Sequence, residues 1–577
     1  MPIGPNTDVQ EIVREERVNI PMRDGTLLAA SVTRPAGDAT CPAILTRTPY
    51  DRTNQALAAE MWARAGYAFV RQDVRGRFDS EGEFYPFRDD PADGEDTLGW
   101  VAAQPWSNGR VGMTGASHVG TVQYLAASGN PAHLTAAIPE FAPVSVHDRW
   151  WYQGGAFRLG FNLAWVTLLA QDNLRHFPGR LSKLAEDRAQ AWVSVEDMLA
   201  LRIPPLYRDW KLPDYTTVQG AFGNRWFEEF LEHADYGPFW EPYDFRRVHQ
   251  DMATPMLHVG GWYDTFCQGT IDSFVGLRNG ARTEAARNAQ RLIVGPWRHV
   301  NWGQRDVGEL DFGQDLLSME PFAVRKRWFD HWLNEDAGGL DGAAPVQIFV
   351  MGANAWRAEE SWPLERAIAT PFYLHTDGSL DQRLPQAETP RSYDYDPRDP
   401  VITLGGCEWV NYPCGPFDQR PLDGRHDILR FQTEPLDTEI EVTGQVFAHV
   451  WCSSSATDTD FTAKLIDVHP DGRAYNVCDG ILRARYRDSS KSQTLMEADR
   501  PYEFVIDLWS TSNVFGKGHR IRLDVSSSNF PRFDANQNTG YFAVASEDNS
   551  PPVVAHNTVY FDREHLSHVI LPIVPAQ

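Results

Sequence analysis

The sequence predicts an α/β core that is interrupted by a helical cap and followed by an all-β sandwich. Three changes of texture predict it. Strand-like and helix-like runs alternate over residues 1–145 and again over 242–352. Residues 146–241 turn helical and aromatic, and residues 353–577 become rich in proline and short alternating strands. At 577 residues the chain is long enough to bury more than one core.

The elements follow in order. Residues 18–32, turning at Arg23-Asp24-Gly25, read as a β-hairpin. Cys41-Pro42-Ala43-Ile44-Leu45-Thr46 is an apolar strand that empties into Arg47-Thr48-Pro49-Tyr50, where the proline sets the backbone ahead of the tyrosine. Asp89, Asp90, Asp93, Glu95 and Asp96 read as a solvated acidic turn leading into a helix. A strand at 111–115 enters a tight turn at Ser117, and another strand covers 134–138. Within the cap, Trp150, Trp151, Tyr152, Phe157, Phe161 and Trp165 crowd the first part. The core resumes near Met252 with a strand at 255–261 that runs into a glycine turn and Trp262-Tyr263-Asp264. A short strand at 291–294 leads to Gly295-Pro296-Trp297-Arg298-His299, and a helix over 321–333 closes the core. In the last third, 446–451, 461–468 and 520–525 alternate apolar and polar residues between turns such as Pro470-Asp471-Gly472.

Chemistry concentrates at strand ends. Gly115-Ala116-Ser117-His118-Val119-Gly120 reads as a nucleophile elbow, in which glycines let a strained strand-to-helix turn lift the serine hydroxyl clear of the sheet. Its second glycine is displaced by one, with Val119 in the usual place. Asp264 and His299 each lie just beyond a later strand, and the order Ser, Asp, His is that of α/β-hydrolases. Open α/β sheets gather ligands beyond the carboxyl ends of their strands. Ser117 needs a general base, a role that suits His299, with Asp264 orienting the imidazole. His118, directly after the serine, offers its backbone N–H to an oxyanion. The Tyr50 hydroxyl either adds a second donor or belongs to a ring packed under its loop.

The phrases Arg47-Thr48-Pro49-Tyr50, Asp73-Val74-Arg75-Gly76-Arg77 with Ser80-Glu81-Gly82, Gln104-Pro105-Trp106-Ser107-Asn108-Gly109-Arg110, Gly115-Ala116-Ser117, Gly261-Trp262-Tyr263-Asp264 and Gly295-Pro296-Trp297-Arg298-His299 carry a resemblance. In that order and spacing, over essentially the whole chain, they resemble the cocaine esterase-like hydrolases, the CocE/NonD group of the X-Pro dipeptidyl-peptidase superfamily. The resemblance implies Ser117, Asp264 and His299 as triad, the Tyr50 hydroxyl and His118 backbone N–H as oxyanion donors, and a jelly roll for the C-terminal sandwich. Such enzymes often carry tyrosine where this chain has His118, which leaves the backbone donor intact. The similar α-amino acid ester hydrolases carry a Glu-Asp pair shortly after the catalytic aspartate, where this chain has Thr265, Phe266 and Cys267. An ammonium group placed there would meet an apolar wall.

The expected activity is therefore that of a serine hydrolase that cleaves carboxylic esters of small, neutral, aromatic acyl groups through an acyl-enzyme. An amidase, an acyltransferase or an X-Pro-type peptidase could use the same triad, and an inert core beside a carbohydrate-binding sandwich is the reading from another class. Trp150, Trp151, Trp165 and Phe266 are the candidate substrate-contacting residues. Trp165 and Phe266 are placed at the pocket wall, and Trp150 or Trp151 in the cap's own packing.

Composition narrows the partners. A net charge of −25 repels phosphate backbones and excludes nucleic acid as a natural ligand. With no basic start before an apolar run and no apolar stretch long enough to cross a bilayer, the expectation is a cytoplasmic chain off the membrane. Its partner is a small-molecule ester or amide, and the sequence allows a homodimer. The six cysteines read as free thiols, with Cys407 and Cys414 the one pair close enough to invite a bridge. No cofactor or metal is expected, since no His-x-x-x-His pair stands on an evident helix.

Overall fold

In the computed structural model, residues 11–173, 225–336, 340, 342–386, 388–408, 413–541 and 550–576 are described. Strands β1 (Ile12–Pro21), β2 (Leu27–Pro35), β3 (Cys41–Thr48), β4 (Ala68–Asp73), β5 (Ser107–Ala116) and β6 (Leu134–Glu140) precede a short hairpin, β7 (Tyr152–Gln153) and β8 (Ala156–Phe157). Next come β9 (Leu257–Tyr263), β10 (Arg291–Arg298), a second hairpin, β11 (Asp306–Val307) and β12 (Leu310–Asp311), and then β13 (Val346–Val350) and β14 (Ala355–Glu359). Ten of these form one sheet in the order β1-β2-β4-β3-β5-β6-β9-β10-β13-β14. Its strands are parallel from β4 to β13 and antiparallel at both margins.

Side-chain alternation explains how this sheet is covered. Ile44 and Phe69 belong to one buried cluster with Trp62 and Phe329, whereas Ala43, Leu45, Ala68 and Val70 belong to another with Leu98 and Leu125. Successive residues of a strand point to opposite faces, so both faces are apolar and both need helices. Helices α1 (Ala56–Arg64), α2 (Asp90–Ala102), α3 (His118–Ser128), α4 (Leu159–Asn173), α5 (Arg225–Glu232), α6 (Cys267–Gly280), α7 (Glu284–Ala289) and α8 (Pro321–Leu333) follow in chain order. Trp62 of α1 meets Phe322 and Phe329 of α8 on one side. Helix α8 has the bounds its sequence suggested, because Pro321 fits the first turn and the Glu320 carboxylate caps the N–H groups of Phe322 and Ala323.

Two local expectations change. The glycines of 255–261 form no turn: β9 continues through Gly260-Gly261 to Tyr263, and a Cβ on Gly261 would lie 2.1 Å from the Trp297 carbonyl oxygen. Gly261 is a strand glycine that admits the backbone of β10, and Gly260 faces the Thr270 side chain of α6, 3.3 Å from where its Cβ would stand. The acidic turn is not solvated either. Asp90 and Asp93 are buried, with Asp90 3.0 Å from the Arg47 guanidinium and Asp93 2.6 Å from that of Arg75. The sheet also runs past residue 352, since β14 turns back at Gly352 to pair with β13.

The cap is described at α4 and α5, whereas its expected middle, 174–224, lies outside the described residues. Beyond the core, a seven-stranded sheet includes Ile440–Ser454, Tyr502–Phe515, Ala555–Val559 and His568–Val574. It faces a four-stranded sheet of Leu429–Gln432, Arg520–Ser526, Asp460–Val468 and Ala474–Arg483. This sandwich is seated on β9 and α6. The Cys407 thiol donates to the Trp262 carbonyl (3.1 Å), the Tyr263 hydroxyl to the Asn476 carbonyl (3.1 Å) and the Ser510 hydroxyl to Gln268 (2.8 Å). None of the six cysteines is in a disulfide, Cys407 and Cys414 included. No helix among the described residues is long and apolar enough to cross a membrane.

Buried histidines tie this fold to pH. The Tyr124 hydroxyl lies 2.8 Å from Nδ1 of His258, and Nε2 lies 3.1 Å from Gln290 Oε1. The Gln290 amide nitrogen is already spent on the Thr254 and Ala286 carbonyls, so Nε2 donates and Nδ1 accepts. Burial pushes the His258 pKa down to about 3 and that of His249 to about 4, from 6.5. Between these values and 6.5 the unfolded chain binds more protons than the folded one. Stability is then complete above 6.5 and falls as pH drops, by up to about 1.4 kcal/mol per pH unit for each such histidine. The melting temperature should decline steadily from pH 7 to pH 5, and a flat profile in calorimetry would contradict this account.

Candidate active site

The apex of the β5-to-α3 turn is Ser117, with φ 64° and ψ −129°, a conformation that costs a non-glycine residue about 1–3 kcal/mol. Hydrogen bonds hold it there. The Ser117 N–H donates to the Glu140 carbonyl (3.0 Å), and its carbonyl accepts from the N–H groups of Gly120 and Thr121 (both 2.9 Å). Glu140 is itself clamped by Arg325 from α8 through two 2.6 Å bonds.

The displaced glycine now has a reason. A Cβ on Gly115 would lie 2.2 Å from a Val119 methyl, and one on Gly120 would lie 2.7 Å from the Ala142 Cβ and 2.8 Å from the Glu140 carbonyl oxygen. Val119 fills the space that Gly115 leaves, and Gly120 lets α3 approach the end of β6. The elbow keeps its two glycines because each is needed for a close approach, one within the turn and one against the neighbouring strand.

Asp264 and His299 meet beyond β9 and β10. Nδ1 of His299 lies 2.7 Å from Asp264 Oδ1, with both side chains buried. The two parallel strands bring them together although they are 35 positions apart. Phe266, Phe161 and Phe141 surround the imidazole with ring centroids 5.2, 6.1 and 6.2 Å away.

Tyr50 lies beside the elbow. Its hydroxyl accepts the Trp165 indole N–H at 2.8 Å, its ring lies 6.4 Å from that of His118, and burial pushes its pKa up to about 12. The ring is therefore not merely packed under its loop. His118 opens α3, so its N–H is one of the helix-start donors that have no intrahelical acceptor. Its imidazole is buried against Phe87 (4.8 Å) and held neutral, with a pKa pushed down to about 3.

The aromatic candidates separate. Trp165 touches Tyr50 directly. Trp150 stands one layer behind, with its ring 4.9 Å from Trp165 and 4.8 Å from Phe266. Phe266 faces His299. Trp151 is not brought to these residues; its neighbours are Phe157, Trp226, Phe227 and Phe230, within the cap.

Charged residues from distant parts of the chain join this site. The buried Arg158 guanidinium donates to the Thr265 carbonyl (2.9 Å) and hydroxyl, which fixes the backbone beside Asp264. The sandwich reaches the same place. Glu408 forms a parallel bridge with Asp264 and lies 3.5 Å from Arg532, which also pairs with Asp479 at 2.5 Å. Partners such as Arg158 and Thr265 are 107 positions apart, and no spacing rule would have joined them. Residues 405–408 lead the sandwich to this site.

Among the described residues, one group of donors has metal-ligating geometry, namely Asp467, His469 and His519. It sits on the sandwich, where His519 Nδ1 lies 2.8 Å from Asp467 Oδ1, and it contains none of the residues above.

Comparison with known proteins agrees with this architecture. Residues 24–301 match the family model described as X-Pro dipeptidyl-peptidase (S15 family), and residues 338–570 match its C-terminal non-catalytic domain. Cocaine esterase from Rhodococcus sp. (strain MB1 Bresler) is 38% identical over 576 residues, which span 96% of this chain and 98% of that protein. An aminopeptidase from the marine sediment archaeon Thaumarchaeota archaeon superposes with a TM-score of 0.83 at 26% identity, covering 100% of this chain and 98% of that one. An α-amino acid ester hydrolase superposes with a TM-score of 0.82 at 27% identity, covering 99% and 98%. The chain therefore belongs to the cocaine esterase-like, CocE/NonD group of serine hydrolases in the X-Pro dipeptidyl-peptidase superfamily, with an α/β-hydrolase core followed by an all-β C-terminal domain.

Proposed function

We propose that this protein hydrolyses carboxylic esters of small, neutral, aromatic acyl groups through an acyl-enzyme on Ser117. The observation that carries the reading is the buried 2.7 Å contact between Asp264 and His299 Nδ1, at the same end of the sheet as the strained serine turn. With Nδ1 engaged, Nε2 serves as the base that takes the Ser117 proton and returns it to the leaving alcohol. Serine attacks the ester carbonyl carbon, the Tyr50 hydroxyl and His118 N–H receive the oxyanion, and the alcohol departs. Water activated by the same imidazole then releases the acid.

Substrate class follows from the walls. Phe266, Phe161 and Trp165 offer flat apolar surface, and the charges nearby are already matched. Arg158 binds Thr265 and Glu408 faces Arg532, so among the described residues an α-ammonium group would find a cation close by, and the carboxylate there already has an arginine 3.5 Å away. A second reading, an acyl group with a free α-amine, has in its favour the structural likeness to an aminopeptidase and an α-amino acid ester hydrolase.

Initial rates on matched nitrophenyl esters and anilides separate the two. A benzoyl ester should exceed a phenylglycyl ester at least about tenfold in kcat/KM, the discrimination that a site gains when a competitor must bury an unpaired charge. A higher value for the amine-bearing ester, or for an X-Pro anilide, would overturn the neutral-acyl reading in favour of the other.

A further inference from the structure

We propose that Trp165 is a positioning residue that acts through Tyr50: its indole N–H holds the tyrosine hydroxyl in the one rotamer that points its proton at the developing oxyanion. The inference rests on the reading of Tyr50 as an oxyanion donor.

The argument starts from donor and acceptor counts. Indole nitrogen donates and never accepts, so the 2.8 Å contact from Trp165 Nε1 to the Tyr50 oxygen has one direction. A phenol carries a single proton that prefers the ring plane, on either side of the C–O bond. A donor on one side leaves the proton the other side, and the ring stands beside the elbow, 6.4 Å from that of His118. Without the indole, the hydroxyl could turn away at almost no cost, and part of the population would present a lone pair to the oxyanion. Accepting a hydrogen bond also polarises the O–H and makes it a better donor.

Both partners are held by their surroundings. Trp165 is 1% exposed and packs against Trp150 (4.9 Å) and Trp226 (5.6 Å), with Phe87 stacked nearly parallel at 6.5 Å. The Tyr50 main chain is fixed by its own N–H to Thr48 Oγ1 (3.0 Å) and by the Asn54 side chain on its carbonyl (2.6 Å). The preceding Pro49 carbonyl accepts from Arg77 Nε (3.1 Å). Backbone bonds place the ring, but they do not set the hydroxyl rotor. That setting comes from the cap, which makes α4 part of the oxyanion site as well as a cover for it.

A double-mutant cycle on the full-length enzyme with a nitrophenyl ester tests this. Tyr50→Phe should lower kcat about 10²–10³-fold. Trp165→Phe, which keeps an aromatic wall and loses the N–H, should lower kcat about fivefold to tenfold with KM nearly unchanged. In the Tyr50→Phe background the same change should cost nothing further in kcat, because no rotor is left to set. Should Trp165→Phe fail to fold, placing benzothienylalanine at 165 by suppression supplies the indole shape with sulfur for N–H, and the same kcat loss is expected. An effect confined to KM, or one that persists in full without the Tyr50 hydroxyl, would make Trp165 a pocket wall only and overturn the proposal. If Tyr50→Phe leaves kcat intact, the oxyanion reading itself fails, a result distinct from the former.

Discussion

Ser117→Ala should reduce kcat on an aryl ester by about 10⁶-fold, the loss seen when a serine nucleophile is removed and only the oxyanion donors and binding remain. The geometry supports a loss of this size because the same serine is the apex of the strained turn and directly precedes the His118 N–H that opens α3. Folding should survive. The turn is held by the Ser117 main chain, through Glu140 and the α3 start, and none of those bonds involves the hydroxyl. Intact mass after fluorophosphonate treatment is the companion measurement: the wild type should gain one phosphonyl group and the variant none. Labelling that persists in the variant, at a melting temperature equal to that of the wild type, would place the nucleophile elsewhere and remove the basis of the mechanism.

Asp264→Asn should cost about 10⁴-fold in kcat while leaving KM within a few-fold, as when a triad aspartate elsewhere is replaced by its amide. The cause is the tautomer. A carboxylate 2.7 Å from His299 Nδ1 accepts its proton and so leaves Nε2 unprotonated. An amide that donates to Nδ1 would instead put the proton on Nε2, where no base remains. The backbone frame around residue 264 does not depend on the carboxylate, since its N–H binds the Gly261 carbonyl (2.9 Å) and its carbonyl accepts from Cys267 (3.1 Å). A variant that melts like the wild type yet keeps more than about a tenth of kcat would show that the imidazole is oriented by something else.

Several elements were legible from local pattern because their causes are local. Helix α8 begins at a proline behind a capping glutamate, and the elbow announces itself by glycines at fixed offsets from a serine. Strand ends could be located from apolar runs, which placed Asp264 and His299 at β9 and β10 before their contact was visible. The acidic turn at 89–96 was misread because its two buried carboxylates are matched by Arg47 and Arg75, and neither arginine is near them in sequence. Gly260 and Gly261 were misread for a similar reason. A glycine pair looks like a turn until β10 is seen to need the room at Gly261 and Thr270 of α6 is seen packed against Gly260.

By itself, then, the sequence determined the class of the core, the strand-end placement of Ser117, Asp264 and His299, and the family. Those depend on periodicity, turn chemistry and short motifs, all of which act over a few residues. Tertiary structure alone decided that the Tyr50 hydroxyl meets the Trp165 indole N–H, that Trp151 packs inside the cap, and that Arg158 and Glu408 flank Asp264 from different parts of the chain. The physical reason is sequence separation. Tyr50 and Trp165 are 115 positions apart, and only the folding of cap and sandwich onto one sheet brings such pairs within hydrogen-bond range, where direction and burial settle what each group does.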